Sequence, residues 1–255
     1  MPYANNNGVR IYYEVEGDGP PVVFLHGFSG GLETWRERGY AAALNRNFRL
    51  ILLDIRAHGR SDKPHLPEDY LVERFVGDVE AVLDDLGMGS AHCVGYSAGG
   101  SIALCVAKAL PGRVTSMVIL AASPKRDSHD AVRPFIQALA ADPQAVIRQM
   151  EQAGPLPDAR RKRLLANDYE ALLAVMALPK ASVEADLPKM TMPFLIFLGE
   201  ADQMVPFEAT RESYKSLPNA TVVSLPGVTH EGVFNRTDLV LPHIKQFLAQ
   251  VVKAS

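Results

Sequence analysis

A serine between small residues is the first feature of this 255-residue chain that can do chemistry. Ser97 lies in the pentapeptide Gly95–Gly99, which reads Gly-Tyr-Ser-Ala-Gly, between an apolar strand-like run and an Ala-rich helical run. A strand that turns directly into a helix forces strained backbone angles at the serine, and small neighbours avoid a clash there. Such a turn predicts a nucleophilic hydroxyl at a helix N-terminus, where free N–H groups face a developing oxyanion. The alternative is that Ser97 only caps the helix.

A serine nucleophile needs a base, and His230 is the best candidate for it. It ends the segment Leu225–His230, Leu-Pro-Gly-Val-Thr-His, which leaves the last strand-like run and precedes a helix, so it would overhang Ser97. Imidazole titrates near neutrality and can therefore take the serine proton and return it to a leaving group. The other histidines are less suitably placed, on loops, in a strand candidate or in helical segments: His26, His58, His65, His92, His129 and His243.

Short apolar runs alternate with amphipathic segments around these side chains. Five runs are typical of strands buried on both faces of a parallel sheet: Pro21–Leu25, Leu50–Leu53, Ala91–Val94, Ser116–Leu120 and Phe194–Leu198. The segment Leu71–Leu86 has one apolar stripe and ends at Gly87, as an amphipathic helix does. Further strands are expected at Val9–Glu14 and Thr221–Leu225. Further helices are expected at Ser101–Leu110 and about Pro206–Leu217, and a C-terminal helix should end at about Val252. The alternation predicts an α/β fold with a mostly parallel sheet flanked by helices.

The alternation stops between about Pro124 and Pro188. This stretch contains helix formers, prolines and many arginines but no strand-like run. We interpret residues 124–188 as a small helical cap inserted into a core made of residues 1–123 and 189–255. The cap should supply walls of a substrate pocket or pack internally through Phe135, Leu139, Met150, Tyr169, Leu173 and Met176. One of its arginines could bind a substrate carboxylate, although solvation is the commoner role.

Several segments together resemble the α/β-hydrolase superfamily. They are the pentapeptide around Ser97, His26-Gly27-Phe28 after an early strand, the segment Asp54–Ser61 after the next, and an acid and a histidine late in the chain. The resemblance covers nearly the whole chain apart from the cap. One departure is Ala57, where the family often has glycine.

The resemblance assigns further site residues. The loop after Phe194–Leu198 is similar to the one that carries the family's acid, with Asp202 in the matching place, and the order Ser97, Asp202, His230 is the family's order. A carboxylate there would fix the tautomer and support the charge of the imidazole. Glu200 is the local rival, and Asp127 is a second one because some relatives carry the acid there.

The same resemblance predicts the oxyanion hole. The backbone N–H groups of Phe28 and Ala98 would be its two donors, and the Phe28 ring would line the acyl pocket. His26 and His58 are then expected to be structural loop residues. An ordinary glycine-rich loop at residues 26–31 is the alternative.

A serine at the nucleophile position favours cleavage of a carboxylic ester or lactone through an acyl-enzyme. The cap has few aromatic residues, so we expect a small to medium, mainly aliphatic or lactone-like substrate. The alternatives are a C–C bond hydrolase of vinylogous diketones, a perhydrolase and a hydrolase-fold ligand receptor with slow or no turnover. The C–C hydrolases often have an aromatic residue after the histidine, where this chain has Glu231.

Composition and short motifs exclude several other classes of protein. The net charge of −3 without a basic stripe argues against a nucleic-acid partner, and no apolar run is long enough for a membrane span. The two cysteines, Cys93 and Cys105, are expected to be reduced and buried. We find no metal-ligand pattern, no nucleotide fingerprint and no signal peptide at the N-terminus, so we expect a cytoplasmic protein without a cofactor.

Overall fold

Eight strands form one sheet in a computed structural model that describes residues 3–125, 130, 132–178 and 181–254. The strands are β1 (Tyr3–Asn6), β2 (Val9–Glu16), β3 (Pro21–Leu25), β4 (Arg49–Leu53), β5 (Ala91–Tyr96), β6 (Val114–Leu120), β7 (Phe194–Gly199) and β8 (Ala220–Leu225). Their order is β1-β2-β4-β3-β5-β6-β7-β8, and β3 to β8 run parallel. The five apolar runs are all strands of this parallel part, and nearly all of their residues are buried, which confirms the predicted α/β fold.

The hairpin of β1 and β2 was not fully predicted from the sequence. Strand β1 pairs antiparallel with β2, and β2 pairs antiparallel with β4. Asn7 and Gly8 connect β1 to β2 with φ of 51° and 91°. Asn-Gly is the dipeptide that such a two-residue hairpin turn prefers, so the signal was present in the sequence.

Helices cover both faces of the sheet. The described helices are α1 (Glu33–Glu37), α2 (Tyr40–Leu44), α3 (Val72–Asp85), α4 (Ala98–Ala109), α5 (Arg133–Ala141), α6 (Pro143–Ala153), α7 (Asp158–Ala166), α8 (Tyr169–Ala177), α9 (Phe207–Tyr214), α10 (His230–Asn235) and α11 (Thr237–Ala254). Short 3₁₀ turns lie at Pro67–Tyr70, Pro111–Arg113 and Glu184–Lys189. One apolar cluster joins the sheet to α3, α4 and α9, and a second joins the opposite face to α1, α2, α10 and α11. No helix in the described ranges is both long and apolar enough to span a bilayer.

Helices α5 to α8 form the expected helical insertion. Ile136, Leu139 and Leu172 are buried in a third apolar cluster, which also contains Tyr70 of the core. Ala57 belongs to the same cluster, and its φ of 70° is the left-handed conformation that glycine adopts without steric cost. This explains why glycine suits the position. The exact limits of the cap, 124–188, remain a prediction, since Arg126, Asp127 and His129 lie outside the described residues.

Candidate active site

Ser97 lies at the sharp turn between β5 and α4. Its backbone has φ of 51° and ψ of −117°, a left-handed value that is costly for any residue but glycine. The neighbouring strand β6 holds the turn, because the Ser97 N–H donates to the carbonyl oxygen of Leu120 at 2.9 Å. Ala98 is the first residue of α4, so its N–H has no acceptor within the helix.

The glycines around Ser97 are required by close backbone packing. A Cβ atom at Gly99 would lie 2.1 Å from the carbonyl oxygen of Leu25, and one at Gly95 would lie 2.6 Å from the carbonyl oxygen of Gly99. A Cβ atom at Gly27 would lie 2.8 Å from the Tyr96 ring. The loop after β3 therefore packs directly against the turn that carries Ser97.

A chain of hydrogen bonds links three side chains that are far apart in sequence. His230 Nε2 lies 2.8 Å from Ser97 Oγ, and His230 Nδ1 lies 2.8 Å from Asp202 Oδ2. With the Nδ1 proton donated to the carboxylate, Nε2 is the acceptor for the serine hydroxyl. Asp202 and His230 are buried, whereas Ser97 is partly exposed. This row can move a proton from a serine oxygen to a leaving group.

The Asp202 carboxylate is held by its own loop. Its Oδ1 accepts the N–H groups of Met204 and Val205, both at 2.8 Å, which leaves Oδ2 for the imidazole. The Ala201 N–H donates to the carbonyl oxygen of Val228 at 3.1 Å and ties this loop to the one that precedes His230. Glu200, the rival acid, is exposed to solvent. Asp127, the other rival, is outside the described residues.

An aromatic stack supports the helix that begins at His230. The Tyr96 ring stacks on Phe234 at a centroid distance of 4.5 Å, and Phe234 stacks on Tyr40 at 5.3 Å. The Tyr40 hydroxyl donates to the carbonyl oxygen of Phe234 at 2.9 Å, and Trp35 packs edge-on against Phe234. Phe234 follows His230 by four residues and so shares its side of α10. The stack was not anticipated from the sequence.

The loop of residues 26–32 is fixed by the segment Asp54–Ser61. Asp54 Oδ1 accepts the Leu32 N–H at 2.8 Å, and His26 Nε2 accepts the Ile55 N–H at 3.1 Å. His58 Nε2 accepts the N–H of Ser29, the residue after Phe28, at 3.0 Å. The segment Asp54–Ser61 thus positions the loop that carries the expected oxyanion donor, Phe28.

Both of these histidines work as neutral rings. Complete burial lowers the pKa of His26 to about 4 and that of His58 to about 3, because a buried imidazolium loses its hydration. In both rings Nε2 accepts a backbone N–H, so the proton lies on Nδ1, which faces the carbonyl oxygen of Gly27 in His26 and of Arg56 in His58. Neither ring is arranged as a base for Ser97.

An apolar cleft adjoins the helix N-terminus. Its volume is about 100 Å³, and its walls include Phe28, Tyr70, Phe75, Ala98, Ile102 and Val175. Ala98, Ile102 and Cys105 recur at helical spacing on one face of α4, a signal in the sequence that could have found this wall. Burial raises the pKa of the Cys105 thiol to about 11. We refer to this space as the apolar cleft.

The cap residues expected in a pocket separate into two groups. Leu139 and Met176 are fully buried among other cap side chains, and Tyr169 donates from its hydroxyl to the carbonyl oxygen of Leu164. Met150 and Leu173 also pack against this cap cluster. Phe135 is 36% exposed and lines a second space, the polar cleft, which has a volume of about 140 Å³. The polar cleft is also lined by Phe28, Tyr96, Arg38, Arg160 and Glu231.

Over the described ranges, no three His, Cys, Asp or Glu side chains converge as they would around a metal ion.

Comparison with known proteins identifies the fold family of the chain. The family model for the alpha/beta hydrolase fold matches residues 20–173, and a model described as TAP-like protein matches residues 175–252. The chain is 30% identical over 274 residues to a non-heme chloroperoxidase of Streptomyces lividans, covering 96% of this chain and 98% of that protein.

Solved structures of other hydrolytic enzymes are similar to this chain over nearly its full length. Esterase RhEst1 from Rhodococcus sp. ECU1013 is 25% identical, with a TM-score of 0.82 over 98% of each chain. Est816, described as an N-acyl homoserine lactone degrading enzyme, is 26% identical, with a TM-score of 0.76 over 96% of this chain and 100% of that one. Since the first model covers more than half of the sequence, the resemblance found in the sequence is confirmed, and the protein belongs to the alpha/beta hydrolase fold family.

Proposed function

We propose that the protein is a serine hydrolase that cleaves small carboxylic esters or lactones through an acyl-enzyme. The observation that carries this proposal is the row of 2.8 Å hydrogen bonds from Ser97 through His230 to Asp202, beside the N-terminus of α4. The esterase and the lactone-degrading enzyme among the similar structures support the same class of substrate.

The first half of the reaction forms the acyl-enzyme. Ser97 Oγ attacks the carbonyl carbon while His230 Nε2 takes the hydroxyl proton, and Asp202 supports the resulting imidazolium. The carbonyl oxygen becomes an oxyanion, for which the N–H groups of Phe28 and Ala98 are the proposed donors. Collapse of this intermediate breaks the bond to the alcohol oxygen, which leaves with the proton from His230. In a lactone that alcohol stays attached to the acyl chain.

The second half releases the acid. A water molecule gives a proton to His230 and attacks the acyl carbon, and a second oxyanion forms in the same place. Its collapse breaks the bond to Ser97 Oγ, which recovers its proton. The apolar cleft next to Ala98, with a volume of about 100 Å³ and mostly apolar walls, suits a short aliphatic acyl chain.

Labelling and turnover test this proposal together. A fluorophosphonate should attach covalently to Ser97 in the folded protein, and 4-nitrophenyl butyrate should be hydrolysed. Ser97→Ala should abolish labelling and lower kcat about 10⁴-fold or more, with an unchanged circular dichroism spectrum. An unlabelled wild-type serine, or a variant that keeps more than a few per cent of kcat, would remove Ser97 as the nucleophile.

A second candidate activity is perhydrolysis, which the 30% identical non-heme chloroperoxidase favours. Hydrogen peroxide would replace water in attacking the acyl-enzyme, and a peracid would leave instead of the acid. Bromination of monochlorodimedone in acetate, peroxide and bromide measures it. The rate should depend on Ser97 if the same acyl-enzyme is involved.

A further inference from the structure

The polar cleft contains three arginines and two glutamates. Arg163 of the cap makes two bonds to Glu37, with Nη1 at 2.8 Å from Oε1 and Nη2 at 3.2 Å from Oε2. Arg160 of the cap lies 3.1 Å from Glu231. Both cap arginines are therefore paired with carboxylates of the core, which offset their charge towards a substrate anion.

Arg38 is the third arginine of this cleft and differs from the other two. It follows α1 in the core and is partly buried, and its guanidinium makes no hydrogen bond or ion pair with any residue the structure describes. Three arginines against two glutamates leave the charged lining of the cleft with one net positive charge. That charge belongs to Arg38.

The position of Arg38 relates it to the reacting centre. Tyr96 precedes Ser97 in the chain and lines the same cleft as Arg38. Phe28 lines both the polar and the apolar cleft. Because the Phe28 N–H is a proposed oxyanion donor, a molecule bound beside it would have apolar side chains on one side and the charged lining that includes Arg38 on the other.

We infer that Arg38 recognises a carboxylate carried by the substrate, which narrows the proposed substrates to esters or lactones with a second, anionic acid group. This inference rests on the proposed function. A guanidinium offers a planar pair of N–H donors that matches a carboxylate, and a partly buried, unpaired one gains most from such a partner. The cap arginines, which the sequence favoured for this role, already have partners.

Two substrates with the same acyl chain test the effect of the charge. The 4-carboxyphenyl ester of butyric acid carries its carboxylate on the alcohol side, which the polar cleft would receive, and the methyl ester of that carboxylate is neutral. The wild-type protein should prefer the anionic ester in kcat/KM, and Arg38→Gln should reduce that preference about tenfold, the usual effect of losing a charge-assisted hydrogen bond. Arg38→Lys should retain part of the preference, because it keeps the charge but loses the paired donors.

Arg46→Gln is the matched control, since Arg46 is exposed outside the clefts and its loss changes the net charge equally. It should leave the preference as in the wild type. The inference is overturned if both esters are hydrolysed and the ratio of their kcat/KM values is the same in wild type, Arg38→Gln and Arg46→Gln. The proposed function would then still stand. No hydrolysis of either ester, together with no fluorophosphonate labelling of Ser97, would overturn both.

Discussion

Asp202 and Glu200 lie two residues apart, yet their carboxylates have opposite surroundings. The Asp202 side chain is 1% exposed and is held by two backbone N–H groups and the imidazole of His230. Glu200 is exposed at the surface. Because a fixed carboxylate orients an imidazole while a solvated one does not, Asp202 rather than Glu200 is arranged to keep Nε2 directed at Ser97.

Asp202→Asn should lower kcat for 4-nitrophenyl butyrate by about 10⁴-fold, whereas Glu200→Gln should change it less than twofold. The asparagine oxygen would keep the two backbone N–H bonds, so its NH2 group would donate to Nδ1 and hold His230 in the tautomer with the proton on Nε2. Steady-state kinetics on both variants, with thermal melting to verify the fold, measure the difference. The reverse ranking would transfer the acid to Glu200.

The strand–turn–helix element from β5 to α4 depends on contacts that only glycine permits. The backbone of α4 approaches the end of β3 so closely that a Cβ atom at Gly99 would overlap the carbonyl oxygens of both Leu25 and His26. Backbone atoms cannot move aside as a flexible side chain can, so the strand or the helix would have to shift. Such a shift would also separate Phe28 from Ala98.

Gly99→Ala should therefore reduce the free energy of unfolding by at least about 2 kcal/mol. Gly112→Ala is the control, because no atom lies within 4 Å of the Cβ position there and its φ is not left-handed. It should change stability by less than about 0.5 kcal/mol. Urea denaturation followed by circular dichroism compares the two, and failure of Gly99→Ala to fold agrees with the prediction. Equal stability of the two variants contradicts it.

Across the whole molecule, the cap and the core are joined by apolar packing and by charged pairs. The cap cluster includes Tyr70 and Ala57 of the core. His65 of the core lies 2.9 Å from Asp168 of the cap, and this carboxylate raises the pKa of the exposed imidazole. The clefts beside Ser97 thus lie where two packed units meet, the usual position for a small-molecule site.

The buried histidines make the stability of the whole molecule dependent on pH. His26 and His58 have lowered pKa values of about 4 and about 3 when folded, against about 6.5 when unfolded. Their contribution to the free energy of unfolding is complete above about pH 6.5, and it is lost as the pH falls towards the folded pKa values. In that range, each of the two histidines should lower the free energy of unfolding by up to about 1.4 kcal/mol for every pH unit of acidification.

Urea unfolding at pH 7, 5.5 and 4.5 should therefore show stability falling with acidification. The His58→Asn variant should lose stability less steeply than the wild type. His65→Asn should lose stability more steeply than the wild type on acidification. The raised pKa of His65 means that its stabilising contribution is present at low pH and absent above its folded pKa. A wild-type stability that stays constant or rises down to pH 4.5 would contradict the assignment of neutral buried rings.

Local sequence was sufficient for much of the fold and for the candidate residues. The apolar runs predicted the parallel strands because burial on both faces requires unbroken apolar residues. The pentapeptide around Ser97 predicted the sharp turn because sterics between adjacent residues are local. The Asn7-Gly8 turn was equally local, and its signal was overlooked. The loops with Asp202 and His230 were found from their place after a strand and from the family resemblance.

Only the tertiary structure decided which side chains meet. It placed Leu139 and Met176 in the cap's own core, although their residue types suited a pocket equally well, because the orientation of a helix within a cap depends on what packs against it. It also paired Arg160 and Arg163 with carboxylates distant in sequence and left Arg38 unpaired among the described residues. Residue type and spacing determine what each side chain can do, whereas contacts between distant segments determine which of them does it.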